Sequence, residues 1–212
     1  MKTSVFTYIS LIFIILFGGC TTKTYEYINR ITFPGFSDHK STQINNKVLQ
    51  EIANILKQNA NATLLVTGAD LKDTPEGINL YLTNKYLKIS FTLTQMFSRT
   101  DSNLNQETTQ YMEKIIPVLQ KYPHIIIQVI GHAYDEGTPK EMQHYADLRA
   151  ISVAELLFNS GLKQEVLAKG CSNLIPRKEC ILNKPHRLCS AQNRRVDLFI
   201  YTNKDDIITK CR

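Results

Sequence analysis

An α+β fold, a mixed sheet of about four strands with helices packed on one face, is the class this sequence predicts. Three observations predict it. Near-continuous aliphatic runs such as HIIIQVIG mark strands buried on both faces. Neighbouring stretches such as NQETTQYMEKIIPVLQKY carry apolar residues at helical spacing. From residue 87 the elements run strand, helix, strand, helix, strand, strand, an order that a helix-backed sheet accommodates.

At 212 residues, 43% hydrophobic and 21% charged, the chain has room for one domain with a sizeable core plus attachments. Its formal charge of +6 is a mild excess that specifies no polyanion and gives no reason to expect nucleic acid. Residues 1–19 read as a signal peptide: Lys2, a short apolar stretch SVFTYISLIFIILF, then Gly18 and Gly19 before Cys20. The apolar run is short of the ~20 residues a spanning helix needs. The Cys20 context resembles a bacterial lipobox, with Phe17 where that pattern usually has Leu. The resemblance implies cleavage before Cys20 and acylation of it, and Thr21 implies the outer membrane. Several acyl chains hold a protein firmly, at ~0.8 kcal/mol per buried CH₂.

Residues 20–44, rich in Thr, Ser and turn formers, read as a lipidated tether. Residues 45–86 read as a small N-terminal extension. In it NNKVLQEIANILKQN places Val48, Ile52, Ile55 and Leu56 on one helical face, capped by Asn45 or Asn46, and ATLLVTG follows as a strand. INLYLTNKYLKISFTLTQMF is β-rich, as one long strand or two shorter ones. The next helix carries Met112, Ile115, Ile116 and Leu119 on its apolar stripe. Pro117 predicts a kink in it or a late start, at a cost of ~3 kcal/mol in a helix interior. After HIIIQVIG and a polar loop, a second helix runs from about Lys140 to Ser160 and stops at Gly161. EVLAKG is a short strand, residues 171–191 an irregular loop, RRVDLFIYT the last strand, and residues 203–212 a C-terminal tail. Export makes disulfides the default for the four remaining cysteines and zinc the minority reading. Cys180 and Cys189 bracket a short loop and are expected to pair, leaving Cys171 with Cys211.

Residues 87–202 resemble the OmpA-like domain, in its peptidoglycan-associated lipoprotein branch. The resemblance rests on ordered matches: LQKYP, Gly131-His132, the Gly137-Thr138-Pro139 turn, Leu148-Arg149-Ala150, the Gly161 stop, LAKG, and Asn193-Arg194-Arg195-Val196. It implies non-covalent binding of peptidoglycan through the diaminopimelate of its stem peptide. A zwitterionic ligand end needs a carboxylate for its ammonium and a guanidinium fork for its carboxylate. Arg149 falls on the family's Arg. The family's Asp is replaced by Tyr134, with Asp135 one place later as the candidate acid, and Met142 stands where the family has Asn. Gly131, His132, Ala133 and Arg194 complete the candidate binding set.

Two functions compete. One is a lipid-anchored outer-membrane protein on the periplasmic face that holds the wall. The other is a structural lipoprotein of an envelope-spanning secretion apparatus, such as Dot/Icm type IVB, which docks other envelope proteins and has weakened or lost wall binding. An enzyme is not expected: no nucleophile elbow, HExxH or metal-spaced set is present, and no cofactor or metal is implied.

Overall fold

The computed structural model describes residues 31–33, 46–65, 77–92, 96–175 and 187–211. The expected signal peptide, Cys20 and Cys180 lie outside them. Seven strands form one mixed sheet: β1 (Ile31–Phe33), β2 (Thr63–Leu65), β3 (Gly77–Leu82), β4 (Tyr86–Thr92), β5 (Ile126–Gly131), β6 (Glu165–Gly170) and β7 (Val196–Tyr201). Their spatial order is β1-β6-β5-β7-β4-β3-β2. The helices are α1 (Asn46–Asn59), α2 (Gln106–Leu119), α3 (Pro139–Asn159) and a short α4 (Arg187–Asn193).

Four strands are therefore too few, and the three extra ones come from the segment read as tether and extension. β1 lies within residues 20–44 and pairs antiparallel with β6. β2 pairs parallel with β3, and β3 forms a hairpin with β4. A boundary at 86/87 would fall inside that hairpin. Leu49, Ile52, Leu56, Ile78 and Leu80 share one core with Leu87, Ile115, Val129, Leu157 and Leu198, so the described N-terminal elements belong to the same body. The β-rich run resolves into two strands because Thr83 accepts from the backbone N–H of Lys85 and Tyr86, closing a turn.

Pro117 sits in the last turn of α2, and the helix runs past it to Leu119. Asn105 caps its start by accepting from Thr108 N. α3 begins on a full capping box: the Thr138 hydroxyl accepts from Glu141 N, and the Glu141 carboxylate accepts from Thr138 N. Gly161, at φ 80°, follows its end. α4 adds a short helix where an irregular loop is expected.

β5 is an interior strand, buried along its whole length, parallel to β6 and antiparallel to β7. Its helix-side residues Ile127 and Val129 meet α3 residues Ala150, Val153 and Leu157 in the main core. Gly131 and Gly170 are register partners at the ends of β5 and β6, and both let α3 approach. A Cβ on Gly131 would lie 2.0 Å from the Ala146 carbonyl oxygen, and one on Gly170 would lie 2.6 Å from Asp147 N.

The opposite face is covered by the C-terminal segment. Ile207, Ile208 and Cys211 pack on Ile126, Ile130, Leu167, Phe199 and Tyr201. The Gln128 side chain behaves like a peptide group toward this strap: its Nε2 donates to Ile208 O at 2.9 Å and its Oε1 accepts from Ile208 N at 3.2 Å. A Cys171–Cys211 disulfide fastens the end. The tail is thus part of the fold rather than an appendage. Among the described residues, no helix is long and apolar enough to cross a membrane.

Candidate functional site

The close approach at Gly131 carries Arg149 of α3 under the loop that leaves β5. Arg149 is completely buried, and its guanidinium carbon lies 5.1 Å from the Phe97 ring centroid and 5.9 Å from that of Tyr145. Burial of a guanidinium is tolerable only when its charge and its five N–H groups are matched. Here they are. Nε donates to Asp101 O at 3.0 Å, Nη1 to His132 O at 3.1 Å and Nη2 to Ser98 O at 3.2 Å. The remaining two donors form a bidentate pair with Glu136, Nη1 to Oε2 and Nη2 to Oε1, both at 2.6 Å. Glu136 is itself 2% exposed and accepts further from Thr100 N at 2.9 Å and Tyr134 N at 3.4 Å.

The acid paired with Arg149 within the chain is therefore Glu136, a residue outside the expected binding set. Asp135 has φ 56° and is exposed, and Gly137 on the far side of Glu136 has φ 96°. Two left-handed residues around one carboxylate reverse the expected sense of the loop, turning Asp135 outward and Glu136 inward. The simple alternation of a chain in one conformation does not apply there. Tyr134 is half-buried, and its backbone rather than its ring meets the acid. Met142 is half-buried in α3, about two turns before Arg149.

His132 does not face this pair with its imidazole. It is buried beside Asp197, with Nε2 3.3 Å from Asp197 Oδ2 but without hydrogen-bond geometry. Burial, reinforced by the nearby Arg195 charge and only partly offset by Asp197, pushes His132 down to about 4, so the ring is neutral at pH 7. Asp197 is held well below the usual carboxylate range: burial alone would raise it, but Arg195, the His132 contact and Lys88 together outweigh that. Asp197 also accepts from Ser90 Oγ at 2.7 Å and pairs with Arg195 at 3.3 Å.

The two adjacent arginines divide between the sheet and the site. Arg195 serves the sheet, through Asp197, Asn193 and the Ile175 carbonyl. Arg194 lies toward the Arg149 site: its Nε reaches Phe97 O at 3.4 Å, and its charge interacts with Glu136, Arg149, Arg99 and Asp135. Of the candidate residues, Gly131, His132 and Tyr134 meet the Arg149–Glu136 pair through backbone atoms, directly or through the helix approach. Ala133 is buried, its N–H donating to Ser172 O. The signal that could have singled out Glu136 was electrostatic: a lone Arg fated for burial requires an acid, and the loop offers only two. An open hollow of about 460 Å³ is lined by Thr138, Lys140, Glu141 and His144, and Arg149 is not among its lining residues.

The site is thus a loop closed over a buried guanidinium–carboxylate pair at one end of a helix-backed mixed sheet. Residues 96–184 match the OmpA family, and the chain carries an OmpA family domain there. No curated protein sequence matches the chain. Among solved structures it is similar to a Desulfovibrio vulgaris protein described as MotB-like, at 13% identity and a TM-score of 0.53, covering 74% of this chain and 90% of that one. It is also similar to the cell wall anchor of the T6SS from Pseudomonas aeruginosa, at 17% identity and a TM-score of 0.50, covering 71% and 96%. At these identities the likeness is one of fold.

Proposed function

We propose that this protein is a non-enzymatic component of the bacterial envelope, lipid-anchored through Cys20 at the outer membrane, whose OmpA-like domain contacts peptidoglycan through the Arg149 site. The observation that carries this reading is Arg149 itself. A guanidinium at the end of β5, under the loop following Gly131-His132, already binds a carboxylate in the two-pronged geometry that a stem-peptide carboxylate would adopt. The solved cell wall anchor of similar fold agrees with it. Arg194 at the same site adds positive charge for an anionic ligand end.

A second reading has its own observation. All five Arg149 donors are engaged within the chain, which favours a docking component of an envelope assembly with weakened wall binding. Co-sedimentation with diaminopimelate-type sacculi at low and high salt separates the two. Wall binding through the ionic site predicts retention that falls as screening rises. Absence of retention at low salt would reject wall binding by this protein and leave the docking reading.

A further inference from the structure

Four N–H groups from three separate segments converge on the Glu136 carboxylate: Nη1 and Nη2 of Arg149 on α3, Thr100 N before α2, and Tyr134 N in the β5–α3 loop. Both carboxylate oxygens receive a charged and a neutral donor. Such a set is complete for one carboxylate and has no surplus, and its cationic member is fully buried between Phe97 and Tyr145. Removing the acid would leave the buried guanidinium charge unpaired, with two of its N–H groups and two backbone donors short of an acceptor, which is far costlier than the pair is stabilising. The carboxylate that fills the set is carried by the loop, between Asp135 at φ 56° and Gly137 at φ 96°. Two of the donors are held by helix α3 and one by the backbone before α2; only Tyr134 N shares the loop with Glu136.

We infer that these four donors form a carboxylate-binding cradle and that Glu136 is its built-in occupant, so that the carboxylate of a ligand is admitted only when Glu136 withdraws. That the ligand carboxylate belongs to peptidoglycan rests on the wall-binding reading above; the cradle and its occupant do not. Arg194 and Arg99, whose charges interact with each other at this site, supply a positive rim that favours an incoming anion. Asp135, exposed beside it, is placed for an ammonium on the same ligand.

The test uses the full chain with Glu136→Ala and the gentler Glu136→Gln, each melted in sodium acetate and in sodium chloride of equal ionic strength. Both variants are expected to lose stability in chloride; Glu136→Ala, whose cradle is vacated, should recover it with rising acetate, because acetate binds the folded state alone, whereas Glu136→Gln, whose amide still fills the cradle, should not. Wild type, its cradle filled, should melt equally in the two salts. The double variant Glu136→Ala/Arg149→Met, which removes both charges, should show no acetate response. Equal melting of Glu136→Ala in acetate and chloride overturns the inference, as does failure of both variants to fold in either salt. Sacculus co-sedimentation then reads the ligand separately. Glu136→Ala should be retained about tenfold or more over wild type, the scale on which a desolvated charge pair acts. Acetate rescue with no sacculus retention by any form supports the cradle and overturns the wall reading.

Discussion

Opening the Cys171–Cys211 disulfide should be the most damaging single change that leaves every core side chain in place. The bond closes a loop with a sequence separation of 40. In the chain-entropy treatment a loop of that length restricts the unfolded state by an amount worth about 4 kcal/mol at 25 °C, between the values for 15 and 100 residues. For a protein of 150–250 residues each kcal/mol moves the midpoint by ~2–4 °C, so the reduced form should melt roughly 8–16 °C lower. The strap would remain in place in the folded state, because Gln128 grips Ile208 at both ends of its peptide and Ile207 and Ile208 pack on the sheet. The loss therefore belongs to the unfolded chain. Urea titration of the oxidised protein, of the reduced protein and of Cys211→Ala should show a lower midpoint and a steeper m for the two open forms, since their unfolded chains expose more surface. Midpoints and slopes within error of the oxidised protein would refute this reasoning.

Gly131→Ala puts a methyl 2.0 Å from the Ala146 carbonyl and must lift α3, so a loss at or above the ~1–3 kcal/mol of ordinary overpacking is expected by denaturant titration. His132 makes the fold acid-sensitive: its folded value of about 4 lies below the ~6.5 of the unfolded chain, so stability is full above pH 6.5 and drains by about 3 kcal/mol at most as pH falls to 4. Below that, protonation of Asp197 removes more. His132→Gln should flatten the slope of stability against pH between 6.5 and 4, and an unchanged slope would place the sensitivity elsewhere. Asp135→Gly should be neutral or stabilising by up to ~1 kcal/mol, because Gly adopts φ 56° freely; a larger loss would show that the Asp135 side chain holds a contact.

What was legible in the sequence was whatever depends on periodicity. HIIIQVIG announced a strand buried on both sides, the apolar stripe of Met112, Ile115, Ile116 and Leu119 announced α2, and Gly161 announced the end of α3. The domain from residue 87 onward was readable for that reason. A strand of three residues carries no period, so β1 within TYEYINRITFPG was beyond pattern reading; β2 falls within ATLLVTG, which reads as a strand, but the pairing of both with their neighbours could not be read from pattern. In the site, Arg149 followed from the resemblance, but the acid did not. Choosing between Asp135 and Glu136 turns on two backbone dihedrals in a three-residue stretch, and composition says nothing about dihedrals at non-glycine residues. The strap was hidden for another reason: Ile207-Ile208 is too short to declare itself, and its receptor, Gln128, reads as a polar blemish in an aliphatic strand.

The brevity of β1 has a bearing on how this protein should be handled. Strand β6 is six residues long, and β1 occupies the side of it that would otherwise be an outer edge, with Ile31, Thr32 and Phe33 opposite Ala168, Leu167 and Val166. A shortened chain beginning at residue 46 would uncover that row of backbone donors and acceptors beside a run of aliphatic side chains. Exposed flat edges of this kind recruit one another. Such a fragment should self-associate through β6 at concentrations where the longer chain stays dispersed, and light scattering of the two lengths would reveal the difference.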